Sequence, residues 1–395
     1  MNPENTDRGT LARFMLPEGI DPSIFRGNGE RPARLAYVAH LLTTEPVRSS
    51  GYILLNKQRL RKVITMGAET EAFKILSEFI EIDHSYTPHV RSKGYRWKLP
   101  FRDQESVVYN HRCPRFIRKL KALREADRSN YGPIEAGVES DQEKITLDLP
   151  DCKGFVSSIP PKEGVVSEIH RKNQLLYSIH QIKSKDMGTI TRSSSTGRLY
   201  CFMNRVSSLI RPFCQIEGSG VTEIDLASSQ PYFLTTLFQS RELIDAVSCG
   251  EFYQRINQRL ARPTSLLDPF AYARFKKSTL SVIYARPVHG HQYWNDPDSK
   301  SGMILAAMES AYPGISRFLS AYREEHGDRA LPNALQKEES GVFVSTILSE
   351  LQERGIPSIP IHDAIMCKKD QKGIVKELMR RELLKRTGIE PELRG

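Results

Sequence analysis

The sequence contains no C-x-x-C and no His/Cys cluster at zinc-binding spacing; its six cysteines, Cys113, Cys152, Cys201, Cys214, Cys249 and Cys367, stand apart. That argues against a zinc ribbon, a thioredoxin-like redox pair and a disulfide framework, and the expectation is reduced thiols in a cytoplasmic protein. No apolar run approaches the length of a membrane span and the first residues lack a signal-peptide pattern, so no membrane partner is expected. No repeat of fixed period and no long low-complexity tract is visible, which argues against a solenoid. Acidic residues are outnumbered: 47 Asp and Glu against 57 Lys and Arg leave a net charge of +10, which favours a polyanionic partner, most simply nucleic acid. The length, 395 residues, accommodates two or three domains.

What is present begins with residues 1–30, rich in Pro, Gly, Asn and charge, which read as a flexible arm. From Arg31 the spacing of Leu35, Val38, Ala39, Leu41 and Leu42 predicts a helix, with a second over 57–66 and a third over 69–79. Alternation over 80–83 and the run 94–100 predict two strands. Three helices followed by two strands, with the basic loop 89–93 between the strands, resemble a winged helix over 31–105: the third helix would enter a groove and the loop would touch the backbone. The alternative is a helical domain whose hairpin only packs or binds protein. Residues 110–126 carry His111, Arg112, Arg115, Arg118, Lys119, Lys121 and Arg124, either a solvated helix face or a phosphate-tracking surface. Residues 127–165 read as a linker with one short strand at 145–149, and a helix is expected at about 165–183.

The second half is organised around VTEIDLASSQPYFLTTL, residues 221–237. Val221 and Ile224 lead to Asp225, small residues follow, and an apolar helical run begins at Pro231, where a missing N–H costs nothing. Strand, turn and helix are predicted, with Asp225 at the exposed strand tip, placed either to hold a metal or a proton or simply to cap the helix. Three further blocks bear on that choice. Upstream is Ser195-Thr196-Gly197-Arg198-Leu199, followed by Arg211-Pro212-Phe213; downstream is Arg274-Phe275-Lys276-Lys277 with Tyr284 eight residues after Lys276; near the end is Ile359-Pro360-Ile361-His362-Asp363-Ala364-Ile365. Two aspartates remote in sequence, each at the end of a buried strand, can meet in a sheet. Hard carboxylate oxygens there suit two magnesium ions about 3.5–4 Å apart, the arrangement that assists nucleotidyl transfer. Lys276 and Tyr284 lie a little over two helical turns apart, near one face, with Leu280 between them.

In this order the four blocks resemble the family A polymerases, DNA polymerase I and its phage relatives, and more distantly the single-subunit phage-type RNA polymerases, over residues 190–395. The resemblance implies an α+β right-hand polymerase of palm, fingers and thumb behind the N-terminal helical domain. Residues 106–189 would be linker and thumb-like helices, 190–240 the first palm segment, 241–330 the fingers and 331–395 the second palm segment. It implies template-directed addition of deoxynucleotides to a primer 3′ end. Asp225 and Asp363 would be catalytic and, with Leu226, would hold two Mg2+ ions, Mn2+ serving in their place. Lys276, Arg274, Tyr284, Gln230 and Leu280 would bind the nucleotide; Arg198, Arg211, Gln336, His362 and Thr196 would contact the primer-template. Arg198 would donate to minor-groove acceptors that every correct base pair presents. The implied partners are DNA primer-template, dNTPs and replication accessory proteins, around a monomer in a bacterial or phage-infected cell.

The sequence also departs from that pattern. Ala364 stands where the cellular enzymes have Glu, Tyr272 where an Arg precedes the Lys by four, and Ala285 where a Gly follows the Tyr; Asn333 precedes Gln336 by three rather than four. These departures and the modest size suggest a phage, plasmid or other mobile-element source. Gln230, the fifth residue after Asp225, is bulky and predicts preference for deoxynucleotides. No D-x-E pair lies in a strand pattern before residue 160, so no 3′–5′ exonuclease is expected. The rivals are an RNA polymerase or primase of the same superfamily, and a non-catalytic replication-initiation protein that binds DNA.

Overall fold

Val221, Ile224 and Leu226 put apolar side chains on the strand Ser219–Leu226, and the chain builds a six-stranded sheet around it. The computed structural model describes residues 11–395 apart from 46, 48–49, 85–92, 162–166, 285–295 and 297. On one side the strand pairs antiparallel with Ala364–Lys368, Asp225 opposite Ala364, and that strand pairs in turn with Ser358–Ile361. On its other side Cys214–Ile216 pairs with the strand's start and Leu393–Arg394 with its end, Asp225 opposite Arg394. Period-two alternation sends Ile224, Leu226, Ile365 and Cys367 into one core with Val375, Leu378, Met379 and Leu383 of the helix Lys372–Thr387. Asp225 is thereby left on the opposite face.

Two compact units make up the chain: residues 1–131, 147–189 and 206–210 form one, and 132–146, 190–205 and 211–395 the other. The second unit carries the sheet and a helical cluster that includes Arg241–Ser248, Phe252–Gln258, Pro269–Tyr284, Lys300–Ala311, Ile315–His326 and Ala330–Val342. Tyr312, fully buried, stacks on Phe252 with ring centroids 5.2 Å apart and donates its hydroxyl to the Phe252 carbonyl at 2.9 Å.

In the first unit the helices Glu30–Thr44, Lys57–Val63 and Met66–Leu76 are joined by a three-stranded sheet in the order Ile53–Leu54, Gly94–Trp97, Ile80–Asp83. The loop 89–93, read as a wing, lies outside the described residues but for Lys93, and so does Ala285. His40 is buried and its imidazole pushed down to about 4, chiefly by burial. Its Nδ1 accepts from the backbone N–H of Met15 at 2.9 Å, which places the ring proton on Nε2, 3.2 Å from the Tyr177 hydroxyl.

Two expectations are corrected. Residues 12–25 are no flexible arm: Ala12–Pro17 pairs antiparallel with Ser106–His111 over its whole length, and Phe14, Leu16, Ile20 and Phe25 are buried. The surrounding Pro, Gly and charge dominate that composition, whereas the fold uses only the apolar residues between them. Nor are 127–161, the described part of the expected linker, a loose connection. Pro133–Glu143 is a helix whose Glu135 side chain accepts from the Gly132 N–H, while Asp141 accepts from Ser358 N–H at 2.9 Å and Gln142 from Phe202 N–H at 2.8 Å. The polar residues that suggested a solvated connection are spent on buried backbone donors. The helix therefore belongs to the sheet-bearing unit, while Glu168–Ser184 belongs to the other.

Candidate active site

A two-residue turn, His362-Asp363, joins the paired strands that end at Ile361 and begin at Ala364. His362 adopts φ 57°, in the left-handed region. The turn brings the backbone of Asp363 against the acidic strand, where the Leu226 N–H donates to the Asp363 carbonyl at 3.1 Å. Asp225 and Asp363 thus sit side by side, 138 positions apart in sequence. Burial first, and then the neighbouring Asp363 charge, push the Asp225 carboxyl up to about 7; Lys276 and Arg394 pull the other way. Burial raises Asp363 as well, against its own backbone N–H, His362, Arg198 and Lys276. His362 is lowered, by burial and then by Arg198, and its ring meets Tyr200 edge-on at 6.0 Å.

The donor set fits a hard divalent cation. Two adjacent carboxylates, each carrying an unfavourable charge in a partly dry setting, gain most from such an ion. Among the described residues no group of three or more His, Cys, Asp or Glu gathers to hold a metal alone. Substrate oxygens and water would therefore have to complete the shell, as magnesium sites allow. Leu226, expected with the metal set, adjoins the pair through its backbone.

Lys276 comes from the helix Pro269–Tyr284. Its ammonium lies 5.1 Å from the Tyr253 ring centroid and 5.6 Å from that of Tyr272. Tyr272 is one helical turn before Lys276 and so shares its face; Arg274, two residues away, is rotated by about 200° and exposed. Arg274, expected at the nucleotide, therefore projects from a different face of the helix than Lys276. Leu280 packs against the core cluster, and Lys277, Leu280, Ser281 and Tyr284 line an open groove. Tyr284 donates its hydroxyl to Gln230 Oε1 at 2.6 Å, and Gln230 donates its amide to Glu339 Oε2.

The turn 193–198 is closed by hydrogen bonds from Ser193 N–H to the Arg198 carbonyl and from Gly197 N–H to the Ser193 carbonyl, at 2.8 and 2.9 Å. It rests on the helix Ala330–Val342: Thr196, buried, accepts the Ser340 hydroxyl on its carbonyl. Gly197 has φ +70°, and a Cβ there would stand 2.9 Å from Ser340 Oγ, so close approach and backbone both call for glycine. Arg198 consequently projects onto Glu339, with Nε and Nη2 at 2.8 and 2.6 Å from Oε1. Arg211 pairs instead with Glu223, at 2.6 and 3.0 Å.

Leu331, Leu335, Glu339 and Val342 form the buried stripe of their helix, and Gln336, one step round from Leu335, is off it. Glu339, 2% exposed, is the residue on that stripe that meets Arg198, a role not expected from the sequence. A signal existed: a lone carboxylate on an apolar stripe demands a buried partner. Tyr253 and Arg394 carry no local pattern that could have marked them.

A mixed helix-and-sheet fold with paired carboxylates, a lysine beside two aromatic rings and a part-buried arginine–glutamate pair is the class of site that the chain presents. Comparison with known families gave no match, and comparison with curated proteins gave no significant relative. Among solved structures the chain is similar to the POL domain of Pol1 from M. smegmatis in complex with DNA primer-template and dNTP, with TM-score 0.39 and 12% identity over 70% of this chain and 65% of that one. The chain thus spans just under two thirds of that domain's length. No helix among the described residues is long and apolar enough to cross a membrane.

Proposed function

We propose that this protein is a nucleotidyltransferase that extends a primer 3′ end with deoxynucleotides on a nucleic-acid template. The observation that carries the reading is the juxtaposition of Asp225 and Asp363 at the end of one sheet, with Lys276 and Arg198 supplying opposite charge. Asp225 and Asp363 would hold Mg2+ or Mn2+, which when bound polarises the primer hydroxyl and neutralises charge on the phosphates. Lys276, kept in place by Tyr253 and Tyr272, would meet the triphosphate, an electrostatic role that costs no reorganisation at the moment of reaction. Tyr284 and Leu280 would face the incoming nucleotide, and Gln230 would crowd a 2′-hydroxyl. Arg198, Thr196 and His362 would lie along the primer-template. The net charge of +10 supports a nucleic-acid partner. The helix, strand, helix, helix, strand, strand order of residues 30–97 supports a winged-helix-like contact in the first unit.

The test is extension of a labelled primer on a DNA template with Mg2+, using Asp225→Asn and Asp363→Asn as controls. Extension by the wild type and loss by at least 10³-fold in each variant is the expected result, an order of magnitude typical of removing a metal-holding carboxylate, about 4 kcal/mol or more. A folded wild type that extends nothing, or variants as active as the wild type, would sink the reading.

A further inference from the structure

Glu339 is placed where a carboxylate is costly, and the groups around it answer with donors. Oε1 accepts from Arg198, and Oε2 accepts from Ser229 Oγ at 3.0 Å and from the Gln230 amide. Burial and the Asp363 charge raise its pKa and Arg198 and Ser229 oppose that rise; the guanidinium, with two nitrogens within 2.8 Å of Oε1, pairs with the ionised form. An ionised carboxylate can only accept. The NH2 of Gln230 must therefore face Glu339, the Gln230 carbonyl must face Tyr284, and the Tyr284 hydroxyl must donate to it, as it does at 2.6 Å. A glutamine amide is nearly symmetric in shape, and only its neighbours decide which end points where. Here the decision is made by Glu339 and transmitted in one direction, from Arg198 through Glu339 and Gln230 to Tyr284.

We infer that Glu339 is a specificity-determining positioning residue: it locks Gln230 and Tyr284 in the single arrangement that discriminates against ribonucleotides, and ties that arrangement to Arg198. The inference rests on the nucleotidyltransferase reading and adds to it a residue three positions from the expected glutamine. Four elements contribute to the lock: the turn 193–198, the helices Ser229–Leu234 and Ala330–Val342, and the end of Pro269–Tyr284. Removing the carboxylate frees the amide to turn over and Gln230 to leave its rotamer, so selection by sugar should weaken even where the fold survives.

The experiment measures single-nucleotide incorporation, as kcat/KM, for dNTP and rNTP on one primer-template with Mg2+. Glu339→Gln should lower the dNTP/rNTP ratio by about tenfold, the scale of one misdirected hydrogen bond, with the rNTP efficiency held or raised. Gln230→Glu should also lower the ratio, because it sets two carboxylates against each other, and the loss should deepen as pH rises. The double variant Q230E/E339Q exchanges the two groups and restores the polarity of the chain. The carboxylate, now at position 230, accepts from Tyr284 and from the amide NH2 now at position 339, while the amide carbonyl at position 339 accepts from Arg198. It should recover most of the wild-type ratio, a rescue that a merely structural glutamate would not show. Should E339Q fail to fold, Tyr284→Phe breaks the other end without touching a buried charge and should lower the ratio likewise. A wild type that extends with an unchanged ratio in E339Q, or in Y284F where E339Q is unfolded, or a double variant no better than its parents, overturns this inference alone. A wild type that adds neither nucleotide overturns the polymerase reading and this inference with it.

Discussion

The backbone N–H of Leu226 donates to the carbonyl of Asp363 at 3.1 Å, and through that bond two acidic positions from distant parts of the second unit become neighbours. The bond ties the end of the strand Ser219–Leu226 to a tight turn, which makes the approach of the two acidic backbones a property of the sheet. Its consequences can be measured.

The first concerns pH. The Asp225 carboxyl rises from 3.8 to about 7 in the folded protein, so the folded state holds a proton that the unfolded state has released. Between those values fewer protons are bound on unfolding, and stability falls as pH rises through the window. Without divalent ions, the Tm should decrease from pH 4 towards pH 7 by a component that is absent in Asp225→Asn. Added Mg2+ should raise the Tm more at pH 8 than at pH 5, since the cation competes with the proton. Equal Mg2+ shifts at both pH values would contradict the account.

A second consequence lies at the Lys276 site. Lys276→Met removes the ammonium that opposes the charge of both aspartates and should lower kcat/KM for dNTP by about 10²–10³. Tyr272→Leu keeps the charge and removes one ring beside it, and should cost roughly two- to fivefold. Single-turnover incorporation separates the two. An equal loss in both would mean that Tyr272 acts through the fold instead.

Gly197→Ala tests the turn that presents Arg198. The added Cβ meets Ser340 Oγ at 2.9 Å and the backbone is held at φ +70°. Destabilisation of about 1–2 kcal/mol is expected by denaturant titration. Affinity for primer-template DNA should fall further than for Ser195→Ala, which leaves both the backbone and Arg198 in place. Binding isotherms of the two variants provide the comparison.

Arg323 anchors the end of the helix that carries Tyr284. Only 8% exposed, it donates to the carbonyls of Val282 and Ile283 at 2.9 and 2.8 Å, satisfying groups that a helix C-terminus leaves open. Arg323→Met should cost about 2–3 kcal/mol, read from urea denaturation, and Arg323→Lys rather less. Discrimination between dNTP and rNTP should weaken in parallel, since Tyr284 follows directly.

Local pattern alone marked the residues whose neighbours in sequence share their fate. The apolar run into Asp225, the paired turn at His362-Asp363, the Thr196-Gly197-Arg198 turn and the one-face spacing of Lys276, Leu280 and Tyr284 all depend on strand alternation, turn chemistry or helical period, which act over a few residues. Only the tertiary structure decided what those residues meet. That Arg198 meets Glu339, that Lys276 lies against the Tyr253 ring, and that Ala12–Pro17 is a buried strand all follow from packing between distant segments. The physical reason is the same in each case. A helix or strand fixes which side chains share a face, but the partner across that face is chosen by burial and by the requirement that every buried charge and donor be answered, and those answers come from elsewhere in the chain.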